Sequence, residues 1–270
     1  MQFIPLDDLA ARQLIDATTV YGEYRRVRGR AAAYAGGMYW KATGATQSLV
    51  KTSPDNRQRR LGPRNSQTES IYAEFKQRKA ELEGRLRSLR AALTEAERMN
   101  RAVKAGRTPS LVVGLLNALD DAGLGDHFTV VGTHALYAYE SAAGVRIVPD
   151  ALATQDVDLL WDARKRVQFM TTMTRLDTSV LKLLQRVDAT FERKDGHNET
   201  AINARGFEVD FLRRPPEGDD PHPFRFTDDE ADLWPVQALR AGVLTNATPF
   251  EHPVVSATGR MSQMRTIAPG

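Results

Sequence analysis

Thr154-Gln155-Asp156-Val157-Asp158-Leu159-Leu160 is the stretch on which the fold turns. In an extended chain successive side chains alternate faces, so Asp156 and Asp158 share one side while Val157 and Leu159 turn to the other, toward a core. Two carboxylates about 6–7 Å apart along one strand repel each other unless a cation lies between them. Mg²⁺ is the natural cation for hard oxygen ligands and substrate phosphates. An Asp-x-Asp pair on its own more often marks a half-exposed edge strand carrying two solvated acids, so the rest of the chain has to decide.

Downstream, Phe207-Glu208-Val209-Asp210-Phe211-Leu212 repeats the pattern. Asp210 alternates with Val209 and Phe211, and a carboxylate buried there needs a metal, a cation or donors nearby. Glu208 shares its face and is a reserve candidate. The alternative is an edge strand with that face wet. Upstream, Val130-Val131-Gly132-Thr133-His134-Ala135 reads as a strand running through a glycine into a helix. Such a turn lets backbone approach a phosphate, with the helix N-terminus and the Thr133 hydroxyl as donors, although an ordinary strand-to-helix turn looks the same.

Around these three pieces helices and strands alternate. The spacing predicts a helix over Pro109–Ala122, a strand over Phe128–Val131, a helix over Thr133–Ala142 and a strand over Asp156–Trp161. A mostly helical stretch, Arg164–Leu184, follows, and then a hairpin over Thr200–Leu212 turning at Ala204-Arg205-Gly206. Such alternation argues for an α/β core. Before it, Leu6–Arg28 has helical spacing, and Met38–Lys41 and Gln47–Val50 flank a glycine turn as a β-hairpin. Thr52–Ser66 reads as a basic loop. From Gln67 to about Lys104, Ile71, Phe75, Leu82, Leu86, Leu89 and Leu93 mark a long helix, with Ser66 and Glu69 as a capping box. After Pro215 the chain is Pro- and Asp-rich. Val236–Leu244 reads as a short helix there, and the last residues as strand or tail.

In this order, the three pieces resemble the nucleotidyltransferase fold superfamily, whose members are DNA-polymerase-beta-like. Its pattern is an apolar strand, a Gly-Gly or Gly-Ser opening a helix, an acid-apolar-acid-apolar strand, and a third acid on a later strand. The chain is also similar to a bacterial family known only as nucleotidyltransferase-fold proteins. The similar stretches are Gly37–Lys41, Leu61–Glu69, Val130–Glu140 and Ala153–Leu160. The resemblance implies a small mixed sheet flanked by helices, an α/β (α+β mixed) fold preceded by a helical and β-hairpin region. It implies three regions: a basic N-terminal region (1–108), a catalytic core (109–214) and a C-terminal extension (215–270).

For the site, the resemblance implies that Asp156 and Asp158 hold Mg²⁺ or Mn²⁺ bridging a nucleoside triphosphate such as ATP. Asp210 completes the site and helps deprotonate an acceptor hydroxyl, and Gly132 and Thr133 cradle the β- and γ-phosphates. Two divalent ions about 3.5–4 Å apart can clamp the attacking and leaving oxygens of an in-line displacement. Thr133 stands where the superfamily has Gly or Ser, and Ser141–Ala153 reads as an inserted loop. Relatives continue into a helical segment beyond Gly270, which would leave the C-terminal extension incomplete.

Further candidates follow from chemistry alone. His134 lies next to Thr133 and so near the phosphates. Arg64 and Ser66 offer donors to phosphate or an RNA backbone, or else form a loop and helix cap. Asn203 faces the Asp210 strand across the hairpin. Tyr39 and Trp40 beside Lys41 can stack a base or form hairpin core.

Composition narrows the classes. The chain has no cysteine, which excludes disulfides, zinc–thiolate sites and cysteine nucleophiles. It has no apolar run long enough to span a membrane, and its start, Met1-Gln2-Phe3-Ile4-Pro5-Leu6-Asp7-Asp8, lacks a basic n-region; a cytoplasmic protein is expected. The net charge of +3 hides an asymmetry: residues 1–110 hold 21 Lys and Arg against 11 Asp and Glu, the remainder 16 against 23. Either two oppositely charged layers pack together, or the basic part meets RNA or triphosphate. The expected activity is transfer of a nucleoside monophosphate from a triphosphate to an RNA 3′ end or a protein side chain. A catalytically weak nucleotide- or nucleic-acid-binding module and a metal-dependent nuclease remain alternatives.

Overall fold

A short strand, β1 (Phe3–Pro5), leads into α1 (Asp8–Ala32), where the Asp7 carboxylate accepts the Ala10 backbone N–H at 3.0 Å. Two antiparallel strands follow, β2 (Gly37–Thr43) and β3 (Thr46–Thr52), paired as the expected hairpin around Gly44. The residues expected as a basic loop contain a third strand, β4 (Gln58–Pro63), antiparallel to β3. Next comes α2 (Ser66–Ala102), of 37 residues. Its cap is not the Ser66/Glu69 pair. Asn65 Oδ1 accepts the Thr68 N–H and Thr68 Oγ1 accepts the Asn65 N–H, both at 2.9 Å, a reciprocal box one residue earlier.

The chain continues through α3 (Ser110–Asp121), β5 (Phe128–Val131), α4 (Leu136–Ala143), β6 (Val145–Ile147) and β7 (Asp156–Trp161). It then forms α5 (Arg166–Leu176), α6 (Val180–Gln185), β8 (Glu192–Arg193), β9 (Thr200–Ile202) and β10 (Glu208–Arg213). Last are β11 (Val236–Gln237), α7 (Ala241–Asn246), β12 (Pro249–Val255) and β13 (Met261–Ile267). Three expectations change. Gly132–Ala135 is a 3₁₀ turn before α4 rather than its first α-turn. Val236–Leu244 begins as a strand. Of the expected insertion, Ser141–Ala143 ends α4, Gly144 caps it and Val145–Ile147 is β6; the remainder, 148–153, lies outside the described residues.

The computed structural model describes residues 2–147 and 154–269, and the chain divides into two units, 16–96 and 1–15 with 97–270. These breaks differ from those read at 108/109 and 214/215. In the smaller unit, Val27 of α1 meets Leu82, Leu86 and Leu89 of α2. One face of the β2–β3–β4 sheet lays Met38 and Leu49 against Phe75.

The larger unit is built on a mixed six-stranded sheet in the order β5-β7-β10-β9-β8, with β11 also on β10. β7 and β10 are parallel; β5–β7, β10–β9 and β9–β8 are antiparallel. Val157, Leu159, Val209 and Phe211 are at most 2 % exposed, because the apolar set of both central strands faces one core. Phe128, Trp161, Phe169, Phe224 and Phe226 fill it, with Trp161 stacked on Phe224 at 4.4 Å.

Residues beyond 214 belong to this core rather than trailing from it. Phe224, Phe226, Leu233, Val254 and Met264 all lie in it. The Tyr139 hydroxyl donates to the Ile267 carbonyl at 2.6 Å, and Asn117 Nδ2 to the Met261 carbonyl at 3.0 Å. At Gly106 a Cβ would stand 2.2 Å from the Val255 carbonyl oxygen, so glycine there lets the C-terminal hairpin close on the chain leading to α3. Among the described residues no helix is long and apolar enough to cross a membrane.

Candidate active site

Parallel pairing of β7 with β10 sets the site. Glu208 is in register with Asp156, and Asp210 with Asp158. Residues in register share a face, so four carboxylates project from one side of the sheet. Three of them converge: Asp156, Asp158 and Asp210 can each offer an oxygen with all three oxygens within 4.8 Å of one another. Glu208 is drawn aside to Lys194, whose Nζ donates to it at 2.7 Å.

The convergence leaves a charge problem. Among the described residues neither Asp156 nor Asp158 has an ion-pair partner. The Asp158 carboxyl is pushed up to about 6, chiefly by burial and then by the charges of Asp210 and Asp156. Asp210 is also raised, again mainly by burial, against the hydrogen bond that the Thr200 hydroxyl donates to it at 2.5 Å. Three hard oxygen donors with no cation of the protein's own among them fit Mg²⁺ or Mn²⁺.

Gly132 closes the other side. Val131 pairs with Asp158 across β5–β7, and the chain turns at Gly132 with φ +68°. A Cβ there would lie 2.5 Å from Asp158 Oδ2. Both conformation and space therefore demand glycine, and bare backbone comes up against the carboxylate.

A family model described as nucleotidyltransferase matches residues 110–270, from the start of α3 through β13. The chain belongs to the nucleotidyltransferase family. No curated protein and no solved structure matches it. The matched span carries both acid-bearing strands, the Gly132 turn and the C-terminal hairpin of this nucleotidyltransferase.

The remaining sequence candidates are placed differently. Thr133, half-buried, follows Gly132 in the 3₁₀ turn. His134 is 1 % exposed, enclosed between Tyr137 and Phe207 at 5.7 and 6.1 Å, and burial pushes its pKa down. Burial thus disfavours its charged form, against an opposing pull from the nearby Asp156. Asn203 is occupied by the β9–β10 turn: Oδ1 accepts the N–H groups of Arg205 and Phe207, and Nδ2 donates to Asp188. Arg64 and Ser66 lie in the smaller unit, where Arg64 binds Gln47 and Glu69 and stacks over Trp40.

Two neighbours of the acids escaped the sequence reading. Thr200 stands opposite Asp210; a hairpin centred on Arg205 pairs 200 with 210, so the signal was present. Lys194 carried none, since its contact with Glu208 depends on β8 joining the sheet. Farther along the same face, Leu160 and Leu212 are covered by Ala241 and Leu244 of α7, which bounds the site. A separate cavity of about 280 Å³ is lined by Met170, Met173, Ser179, Lys182 and Phe226 and includes none of the three acids.

Proposed function

We propose that this nucleotidyltransferase moves a nucleoside monophosphate from a triphosphate to the 3′ hydroxyl of RNA, in a reaction that depends on Mg²⁺ or Mn²⁺. The observation that carries the reading is the convergence of Asp156, Asp158 and Asp210 beside the Gly132 turn. Asp156 and Asp158 hold the cation, with Asp210 completing its oxygen ligands. When bound, the divalent cation supplies positive charge to the triphosphate oxygens and to the departing pyrophosphate. Gly132 and Thr133 bring backbone and hydroxyl donors to the phosphates.

Asp210 takes the proton of the acceptor hydroxyl. The freed oxygen bonds to the α-phosphorus, the bond to the β-phosphate oxygen breaks, and pyrophosphate leaves. The Thr200 hydroxyl, donating at 2.5 Å, fixes the orientation of this carboxylate toward the acceptor. RNA as acceptor is supported by the charge of residues 16–96, which hold sixteen Lys and Arg against eight Asp and Glu. A cysteine-free chain of this kind fits the cytoplasm.

The test is transfer of label. The protein is incubated with Mg²⁺ or Mn²⁺, each α-³²P-labelled triphosphate in turn, and total cellular RNA and protein. Label on RNA that vanishes in Asp156→Ala/Asp158→Ala is the expected result. Label on protein moves the acceptor. Triphosphate binding without transfer turns the chain into a binding module, and shortened RNA makes it a nuclease.

Thr200→Val probes the support of Asp210. Loss of a group that orients a site carboxylate costs about tenfold in rate. The lost hydrogen bond held the Asp210 pKa down, so the acidic limb of the rate profile moves to higher pH. A profile that falls in height without shifting assigns Thr200 a packing role only.

A further inference from the structure

We infer that the outer face of the β2–β3–β4 sheet binds single-stranded RNA, with Tyr39 stacking on a base and Lys41 and Arg60 holding the flanking phosphates. Met38 and Leu49 pack inward with Phe75, and Trp40 lies against Tyr72 at 5.8 Å. Alternation therefore sends Tyr39 and Lys41 to the opposite side. The register places Tyr39, Val50 and Arg60 in one row across the three strands, and Lys41, Ser48 and Pro63 in the next.

Val50 and Ser48 are 4 % and 6 % exposed, although their side of the sheet is not the helix-facing core. A ligand therefore meets not these two side chains but Tyr39 and Lys41 on one flanking strand and Arg60 on the other. Tyr39 is 38 % exposed, and Lys41 and Arg60 are exposed. Among the described residues, neither Lys41 nor Arg60 has an acidic partner. Two strand spacings put Tyr39 and Arg60 roughly 10 Å apart, a span that one or two nucleotides bridge.

An excess of eight positive charges in residues 16–96 is complementary to a polyanion. The aromatic ring set between cations narrows the class. A duplex buries the faces of its bases, whereas unpaired bases of RNA splay onto exposed aromatic rings. The inference rests on the proposed function only for the role of the RNA as acceptor; binding stands on this sheet alone.

The experiment uses the full-length chain in EDTA and a fluorescein-labelled, 12-nucleotide single-stranded RNA of mixed sequence, read by anisotropy at several salt concentrations. Tyr39→Ala weakens binding about tenfold, and Tyr39→Phe retains it. Lys41→Gln/Arg60→Gln weakens binding and lowers the log–log salt slope by about one to two, as expected for two lost phosphate contacts on a single strand. Thermal melting should be unchanged, since these side chains are exposed; the Gln pair carries the test if Tyr39→Ala melts early. No binding, binding indifferent to Tyr39 and to the cation pair, or equal affinity for a 12-base-pair DNA duplex overturns the inference.

Asp156→Ala/Asp158→Ala separates this inference from the proposed reaction. That variant binds the RNA as wild type does while transferring nothing. Tyr39-dependent binding without transfer by wild type leaves the surface standing and removes the reaction. Transfer to RNA that Tyr39→Ala and the Gln pair leave unaltered, with equal RNA affinity, removes the surface and keeps the reaction.

Discussion

Replacing Asp158 with Asn lowers nucleotidyl transfer by about 10³-fold or more and, in the metal-free protein at pH 8, raises stability. Both effects have one origin. The folded pKa of Asp158, about 6, lies above the ordinary 3.8, so the native state holds this proton more tightly than the unfolded chain does. Below about pH 4 the carboxyl is protonated in both states and costs nothing. Between 4 and 6 the unfolded chain ionises first, and stability falls as pH rises. Above 6 the penalty is complete, at about 1–3 kcal/mol after allowance for solvent at a half-buried group. Asn keeps the shape and removes the charge.

Wild type should therefore melt higher with Mg²⁺ or Mn²⁺ at pH 8 and gain less at pH 5, where protons compete. Asp158→Asn should gain little at either pH. Urea unfolding at the two pH values, with and without the cation, measures all four quantities. A variant less stable than wild type in metal-free buffer at pH 8 would show that Asp158 is held by favourable contacts and that no charge problem exists.

Arg107→Met should be the most damaging single change outside the site. Glu140 is 5 % exposed. Its carboxylate accepts Arg107 Nε at 3.1 Å and the Ile147 N–H at 2.5 Å, and Arg107 Nη2 binds both it and the Ile147 carbonyl. These contacts fasten β6 to α4. Without the guanidinium, a buried carboxylate loses its partner, which costs about 3–5 kcal/mol and lowers Tm by roughly 10 °C. Arg107→Met/Glu140→Gln removes the stranded charge while keeping an acceptor for Ile147, and should recover most of the loss. A double variant as unstable as the single one would mean that Arg107 acts through its packing.

The two acid-bearing strands were legible because their chemistry is local. Apolar residues at every second position, with acids between, define β7 and β10 to within a residue or two. Their pairing was not legible. That Asp210 stands beside Asp158 depends on a parallel contact between segments about fifty residues apart, which no local pattern encodes. The strand at Gln58–Pro63 was missed for a related reason: Gln58, Arg59 and Arg60 lack the alternation of a half-buried strand, since this edge strand is mostly exposed. Phe224 and Phe226 were hidden by composition, being two core aromatics in a stretch whose Pro and Asp content reads as surface. Thr68 outcompeted Glu69 as the capping partner because Asn65, not Ser66, occupies the cap position.

The register between β7 and β10 also decides which changes of chain length such a protein can accept over evolutionary time. Side chains on a strand swap faces with every residue. Inserting or deleting one residue between Phe207 and Asp210 would turn Asp210 toward the aromatic core and offer an apolar side chain in its place. The connection from Glu217 to Asp219, exposed and beyond β10, is under no such parity rule, because lengthening it moves neither strand against the other and adds little closure entropy. Descendants of this chain can thus vary freely in that connection, while the short run from Gly206 to Asp210 keeps its length.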